Sequence, residues 1–203
     1  MSEGRRSLQK IKEMGEEEKE QLLRTIEGEA HDNEVLYWGC SQAVLGALQR
    51  HLRLDNGGAF RAASALVGGI VGRQETCGAL LGGVMAIGLA YGRAHFEPGK
   101  ISREQPEFVE ALTRARRFYE KFRDTFGLLR CNDVRATVRG PDAKEYTRFD
   151  TIEAIEDHAK CGDVTGPAAR LAAEVILQPT ELFAPEINAV LEEIAHVRKR
   201  HKT

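Results

Sequence analysis

The sequence contains four cysteines, and no two of them lie close together. They are Cys40, Cys77, Cys131 and Cys161, and the nearest pair is separated by 30 positions. Without a Cys-x-x-Cys pair, the chain lacks the attachment motif of a c-type haem, the dithiol of thioredoxin-like proteins and the cysteine runs of common ferredoxins. Ribbon-type zinc sites also use close cysteine pairs, so zinc is disfavoured. Any site that the four cysteines share must be assembled by the fold.

Features of a secreted, membrane-spanning or nucleic-acid-binding protein are also missing. The first residues are polar and charged and contain no apolar segment of a signal peptide, so we expect a cytoplasmic location. Thiols are kept reduced there, which disfavours structural disulfides. The formal net charge of −2 gives no reason to expect nucleic acid as a partner. The uncharged run at 76–92 is too short and too rich in glycine to predict a membrane span.

Strand-like alternation is nowhere sustained, whereas the spacing of apolar residues is helical through nearly the whole chain. We therefore predict an all-α fold, a helical bundle that forms a single domain over residues 1–203. The segment 76–92 is apolar on more than one face. This pattern predicts a buried, glycine-rich helix at the centre of the bundle.

Turn and cap residues give the predicted ends of the helices. Residues 5–30 are predicted to form one or two charged helices, and Asp32-Asn33 is predicted to break the helical pattern after them. Further helical segments are predicted at 40–52, 59–71, 76–92, 106–126, 164–177 and 185–201. The polar stretch 135–150 is predicted to be a loop, followed by a short helix at 151–158. The helix that begins at Pro106 is expected to pack through one largely aromatic face, with Arg114 on another side. That face is formed by Phe108, Leu112, Ala115, Phe118, Tyr119, Phe122 and Phe126.

Three of the cysteines, Cys40, Cys77 and Cys161, lie at or near the predicted start of an apolar helix. The unpaired amides and the dipole of a helix N-terminus favour a thiolate with a lowered pKa, which both a metal centre and a nucleophile require. Gly78, which follows Cys77, would let the backbone approach a bulky centre or another helix. The same pattern also fits four independent buried cysteines.

Four segments of the chain, each with one cysteine, follow a definite order. They are Gly39-Cys40-Ser41-Gln42-Ala43-Val44-Leu45, Cys77-Gly78-Ala79-Leu80-Leu81-Gly82, Phe126-Gly127-Leu128-Leu129-Arg130-Cys131, and Cys161 before an alanine-rich helix. This ordered set resembles the C_GCAxxG_C_C family of redox-active proteins. The second segment matches the family's Cys-Gly-Ala-x-x-Gly element in full, whereas Gly39 and Ser41 depart from the Asn-Cys-Ala-Gln that is more frequent around the first cysteine. The resemblance covers about residues 25–178 and leaves 1–24 and 179–203 as helical extensions.

The resemblance also implies a cofactor. The family is similar to the C-terminal part of split-Soret cytochromes, in which a helical bundle holds an iron–sulfur centre through cysteines of this type. It therefore implies a redox-active protein with an iron–sulfur cluster of the 2Fe–2S type, with the four cysteines as metal ligands and Gly78 and Gly82 against the cofactor. Haem is not expected, because the attachment motif is missing. An unidentified redox partner and a homodimer are implied as well.

Other functions stay open at this point. A metal-free thiol–disulfide protein would use Cys77 as its catalytic, reactive thiol. A structural helical interaction module would use the cysteines only to fill its core, and zinc sequestration is a weaker alternative. His158, three residues before Cys161, is a candidate for a further ligand or a proton route.

Three further groups of residues near the cysteines are open to more than one interpretation. Glu75 could accept a proton from Cys77 or simply begin a helix. Tyr37 and Trp38 precede Cys40 and could shield a centre from water. The stretch 68–72 is rich in glycine but lacks the Lys-Ser/Thr of a phosphate loop, so we expect it to serve packing.

Overall fold

The computed structural model describes residues 3–54, 57–101, 104–139, 156 and 158–200. Over these residues the chain is helical, and extended backbone pairs only in one antiparallel bridge, between Thr76 and Arg130. The all-α class predicted from the sequence is therefore confirmed. The α-helices are α1 (Glu3–Lys12), α2 (Glu16–Tyr37), α3 (Cys40–Leu52), α4 (Gly57–Ala63), α5 (Gly78–Tyr91), α6 (Pro106–Phe126), α7 (Cys131–Arg139), α8 (Gly162–Leu177) and α9 (Ala184–Arg200). Short 3-10 helices occupy Ser64–Leu66 and Thr180–Leu182.

The most extensive packing in the bundle is that of α2 on α8 and of α3 on α5, and α3 and α8 also contact each other. Each of these two helices also packs against α2 and α5, while α6 covers α5 and α8, and α9 lies on α6. Apolar residues at helical spacing fill the space between them. Fully buried members of this core are Ile26, Val44, Leu45, Leu48, Ile87, Phe118, Phe122, Ala172 and Ile176.

Helix α5 approaches its neighbours closely because glycines replace side chains along it. A Cβ at Gly82 would meet the backbone oxygen of Ser41 in α3, and a Cβ at Gly83 would meet the ring of Phe118 in α6. The helix is largely buried, while its expected place at the centre of the bundle stays a prediction. In the described part of the chain, no helix is long and apolar enough to cross a membrane.

Three predicted boundaries are wrong. Helix α2 continues through Asp32-Asn33 to Tyr37, because the weak helix propensity of these two residues is outweighed by the packing of Ile26, Ala30 and Glu34 on its core face. The segment predicted at 59–71 ends as a helix at Leu66, where a turn with several positive φ angles begins. The loop start predicted at 135 is wrong, since α7 runs to Arg139, and the rest of that predicted loop lies outside the described residues. The short helix predicted at 151–158 lies mostly outside the described residues.

The aromatic face of α6 also differs from the prediction. Phe118 and Phe122 are buried as expected, but Leu112 and Tyr119 are substantially exposed. Arg114, predicted to lie away from the packing face, is completely buried. Its guanidinium is used to cap the end of α8, a role that a simple apolar periodicity does not reveal.

Candidate functional site

All four cysteines stand at the N-terminus of a helix. Cys40 is the first residue of α3 and Cys131 the first of α7, while Cys77 and Cys161 are the N-caps of α5 and α8. The predicted helix-start placement of Cys40, Cys77 and Cys161 is confirmed, and Cys131 shares it. At Cys77 the backbone of Ala79 and Leu80, in the first turn of α5, hydrogen-bonds the sulfur.

Three of the cysteine segments, those of Cys40, Cys77 and Cys131, contact one another directly. A Cβ at Gly78 would clash with the sulfur of Cys40, so the residue after Cys77 lies against the first cysteine. The amide of Cys77 donates to the carbonyl of Leu129 at 2.8 Å, within the short bridge that joins the chain before α5 to the chain before α7. The bridge therefore brings Cys77 and Cys131 together, and the absence of a side chain at Gly78 brings Cys40 to them.

The glycine-rich turn at 68–72 encloses this cluster from another side. The backbone of Gly68 hydrogen-bonds the thiol of Cys40. A Cβ at Gly69 would lie 2.6 Å from the Cβ of Cys131. Both glycines have positive φ, 60° and 68°, which a glycine adopts without strain. The turn serves packing, as predicted, and the residues that it packs against are two of the cysteines.

A buried acid, Glu34, lies at the centre of the polar contacts near the cysteines. Only 1% of it is exposed. Its carboxylate accepts a hydrogen bond from the amide of Gly39 at 2.9 Å and lies 3.2 Å from Nε2 of His158. The His158 ring packs on Trp38, with 5.1 Å between ring centroids, and the carbonyl of His158 accepts a bond from the amide of Cys161 at 2.9 Å.

The thiols of all four cysteines have raised pKa values. Burial is the main cause, and the negative charge of Glu34 adds to it in every case. The pKa rises to about 12 for Cys77 and for Cys161, well above the ordinary value for Cys40, and more modestly for Cys131. The lowered pKa expected from the helix N-termini is therefore wrong, because the loss of solvent outweighs the nearby amides.

Two arginines of α7 act in the opposite direction. Arg135 and Arg139 follow Cys131 at intervals of four residues, which places all three on one face of the helix. Their positive charges lower the pKa of Cys131 and of Cys161, and Arg135 also hydrogen-bonds the Cys131 thiol. Arg139 is buried, with 9% exposed.

Several predicted residues lie elsewhere or have other contacts. Tyr37 is 76% exposed and does not cover the cysteines. The side chain of Glu75 faces solvent and lies 3.4 Å from Arg130. Gly82 contacts the backbone of α3, and its predicted contact with a cofactor stays a prediction.

Sequence reasoning did not find Glu34, Arg135 or Arg139 as residues of this site. The sequence did contain a signal for Glu34, because this acid lies on the same helix face as the apolar residues Ile26 and Ala30. A charged residue on an apolar face indicates a buried polar group with a specific role. The two arginines could have been found only with α7 predicted as a helix, because their register with Cys131 depends on it.

The site thus contains four reduced cysteines inside an all-α protein. Direct contacts bring Cys40, Cys77 and Cys131 together, and Cys161 lies near enough for its charge to interact with that of Cys77. Among the described residues, no group of three or more His, Cys, Asp or Glu side chains is arranged to hold a metal ion. The chain matches, over residues 38–175, the family described as "Putative redox-active protein (C_GCAxxG_C_C)". Since the match covers more than half of the chain, the protein belongs to this family. No curated protein and no solved structure matches it.

The raised pKa values predict slow alkylation of Cys77 in the reduced, metal-free protein. Only the thiolate reacts, and a pKa of about 12 instead of 9.0 lowers the thiolate fraction near pH 8 by about a thousandfold. The rate of reaction with iodoacetamide, followed by mass spectrometry, should rise steadily as the pH increases toward 12. Protein unfolded in urea is the control, and its four thiols should react at ordinary rates. Rapid labelling of Cys77 at neutral pH in the folded protein would contradict the prediction and favour a thiol enzyme.

Proposed function

We propose that this protein transfers electrons and that its four cysteines hold an iron–sulfur cluster of the 2Fe–2S type. The observation that carries the proposal is that all four cysteines stand at helix N-termini and that direct contacts bring Cys40, Cys77 and Cys131 together. Cysteines that only fill an apolar core would not need to begin a helix in every case. Membership of a redox-active family agrees with this interpretation.

The donor set suits an iron–sulfur cluster better than a single ion. Four cysteine thiolates are the usual ligands of a 2Fe–2S cluster, and they are divided between two irons, so the sulfurs need not surround one point. When bound, such a cluster accepts and returns an electron. Gly78 and Gly69 let the cysteine segments approach one another closely, because a side chain at either position would clash with Cys40 or with Cys131.

The raised thiol pKa values favour a metal-bound function over a metal-free one. A nucleophilic cysteine must be a thiolate near neutral pH, whereas the Cys77 thiol stays protonated until the pH approaches 12. Metal ions, by contrast, displace thiol protons outright, because they supply the positive charge that the buried thiolates lack. We therefore place thiol–disulfide chemistry at Cys77 second. The cytoplasmic location, the redox partner and the homodimer stay predictions.

Protein purified without oxygen should absorb visible light, and the absorption should bleach with dithionite. Replacing Cys77 or Cys40 with serine should remove most of this absorption together with the bound iron and acid-labile sulfide. Thr76→Ser is the matched control, because it introduces the same residue beside Cys77 while leaving every thiol in place. The measurements are visible spectra and iron and sulfide analyses of the three variants and the original protein.

A featureless spectrum, persisting after incubation with iron and sulfide under reducing conditions, would overturn the proposal. Cysteine variants that retain the full absorption of the original protein would also contradict it, since they would show that the cluster is held by other residues. A colourless protein that binds zinc at the cysteines would identify a metal site of a different kind.

A further inference from the structure

A cavity lies at the end of the bundle opposite the cysteines. It has a volume of about 210 Å³ and opens between α1, the last turn of α5, the first turns of α6 and the chain that follows α8. The length of α5, about 20 Å, separates it from Cys77. Its walls combine apolar and charged groups, and they are formed by Leu8, Gln9, Lys12, Ala90, Tyr91, Glu107, Glu110 and Thr180.

Lys12 brings a positive charge into this cavity without a fixed counter-ion. Its ammonium lies 5.2 Å from the centre of the Tyr91 ring, and no carboxylate of the described residues lies within ion-pair distance of it. Burial lowers the pKa of Lys12, and the positive charge of Arg114 lowers it further, while Glu110 acts in the opposite direction. The neighbouring acids therefore do not offset the loss of solvent around this ammonium, which a carboxylate of a ligand would do.

The wall formed by α6 carries carboxylate oxygens that have no partner. Glu107 and Glu110 lie three residues apart, on one face of the helix. Oε1 of Glu110 contacts Arg114 at 2.9 Å and accepts a hydrogen bond from Thr180 at 3.1 Å, whereas Oε2 has no partner among the described residues. Within the same part of the chain, Glu107 forms no hydrogen bond or ion pair. Like charges at this spacing repel each other, so an ammonium group beside them is favoured.

The charges of the cavity select the class of ligand. Arg114 offsets Glu110, so one positive charge, that of Lys12, and one negative charge, that of Glu107, remain in the walls. A simple anion would meet the carboxylate of Glu107, and a simple amine would meet the ammonium of Lys12. A molecule that carries one carboxylate and one ammonium satisfies both walls, and its apolar part would be covered by the apolar lining.

We infer that this cavity binds a small zwitterion, a free α-amino acid with an apolar side chain, with Lys12 against its carboxylate and Glu107 against its ammonium. Oε2 of Glu110 accepts a second hydrogen bond from the ammonium, and Leu8 and the Tyr91 ring contact the side chain. The cavity is smaller than the range of about 300 Å³ and above that holds drug-sized ligands, which agrees with a ligand of this size. The inference concerns binding alone and does not depend on the proposed function of the cysteines.

Isothermal titration calorimetry of the full chain with L-leucine and L-methionine tests the inference. At least one of the two should bind with a dissociation constant of about 1 mM or lower. Isoamylamine and isocaproate are leucine without its carboxylate and without its ammonium. Each should bind at least about tenfold more weakly than leucine, because each leaves one charge of the cavity unpaired.

Two substitutions remove one charge each with little change of shape. Lys12→Met and Glu107→Gln should each weaken the binding of the amino acid by about tenfold or more, and Lys12→Met should also remove the preference for leucine over isoamylamine. Lys10→Met and Glu120→Gln are the matched controls. Both residues are exposed on the same two helices and lie outside the cavity, so their replacement should leave the affinity unchanged.

Three results would overturn the inference. The first is no binding of either amino acid at about 10 mM. The second is equal affinity for leucine and for either of its one-charge analogues. The third is unchanged affinity in both Lys12→Met and Glu107→Gln, with circular dichroism showing that the variants are folded, because binding would then occur elsewhere. If one variant fails to fold, the other decides. The visible spectrum tests the cysteines separately, so the two proposals can fail independently.

Discussion

Replacing Gly82 with alanine is expected to lower the free energy of unfolding by about 2–3 kcal/mol, although alanine is the better helix former. The added Cβ would meet the backbone oxygen of Ser41 and lie 3.2 Å from its carbonyl carbon and 3.1 Å from the Cβ of Val44. Backbone atoms inside a helix cannot move aside singly, so α3 and α5 must separate. Chemical denaturation with circular dichroism measures the change.

Gly88 provides the matched control for this prediction. It lies in the same helix, is exposed, and has no atom within 4 Å of an added Cβ. Gly88→Ala should therefore stabilise the protein by up to about 1 kcal/mol, through helix propensity alone. Equal effects of the two substitutions would refute the close contact between α3 and α5. That contact matters for the site, because Ser41 follows Cys40 directly and its displacement would move the first cysteine away from Cys77.

Local signals predicted much of this fold. Pro106 begins α6 and Gly127 ends it with a φ of 76°, as the preferences of these residues require. The helix-start positions of Cys40, Cys77 and Cys161 followed from the apolar runs after them. Each of these features is determined within a few residues of sequence. The spacing of apolar residues and the helix-starting and helix-ending residues were therefore sufficient to predict them.

Features that depend on distant residues were not predicted. The extension of α2 to Glu34 arises from packing against α8, where Thr165 donates to the carbonyl of Ala30 at 3.1 Å. The thiol pKa values are raised because segments far apart in the chain bury the cysteines. The helix N-termini, considered alone, predicted lowered pKa values. The contact of Gly69 with Cys131 spans more than sixty positions and has no signal in the local composition.

Arg114 stabilises the end of the bundle at which α8 terminates. Its replacement is the second change for which we expect a large loss of stability. Its guanidinium donates to the carbonyls of Val175 at 2.9 Å and Gln178 at 3.1 Å, at the C-terminus of α8. It also pairs with Glu110 at 2.9 Å. The rings of Tyr91 and Phe183 lie on it, with centroids 3.9 and 4.0 Å from its central carbon.

Arg114→Ala should therefore lower the free energy of unfolding by about 3–5 kcal/mol, since it leaves a partly buried carboxylate and helix-end carbonyls without their partner and opens a cavity between two rings. Arg117→Ala is the control. Arg117 also lies over the Phe183 ring and pairs with Glu186 at 3.0 Å, but it is one third exposed. Its loss should cost about 1 kcal/mol or less. Comparable losses in both variants would mean that the ring contacts alone stabilise this end of the bundle, and that the carbonyl contacts of Arg114 contribute little.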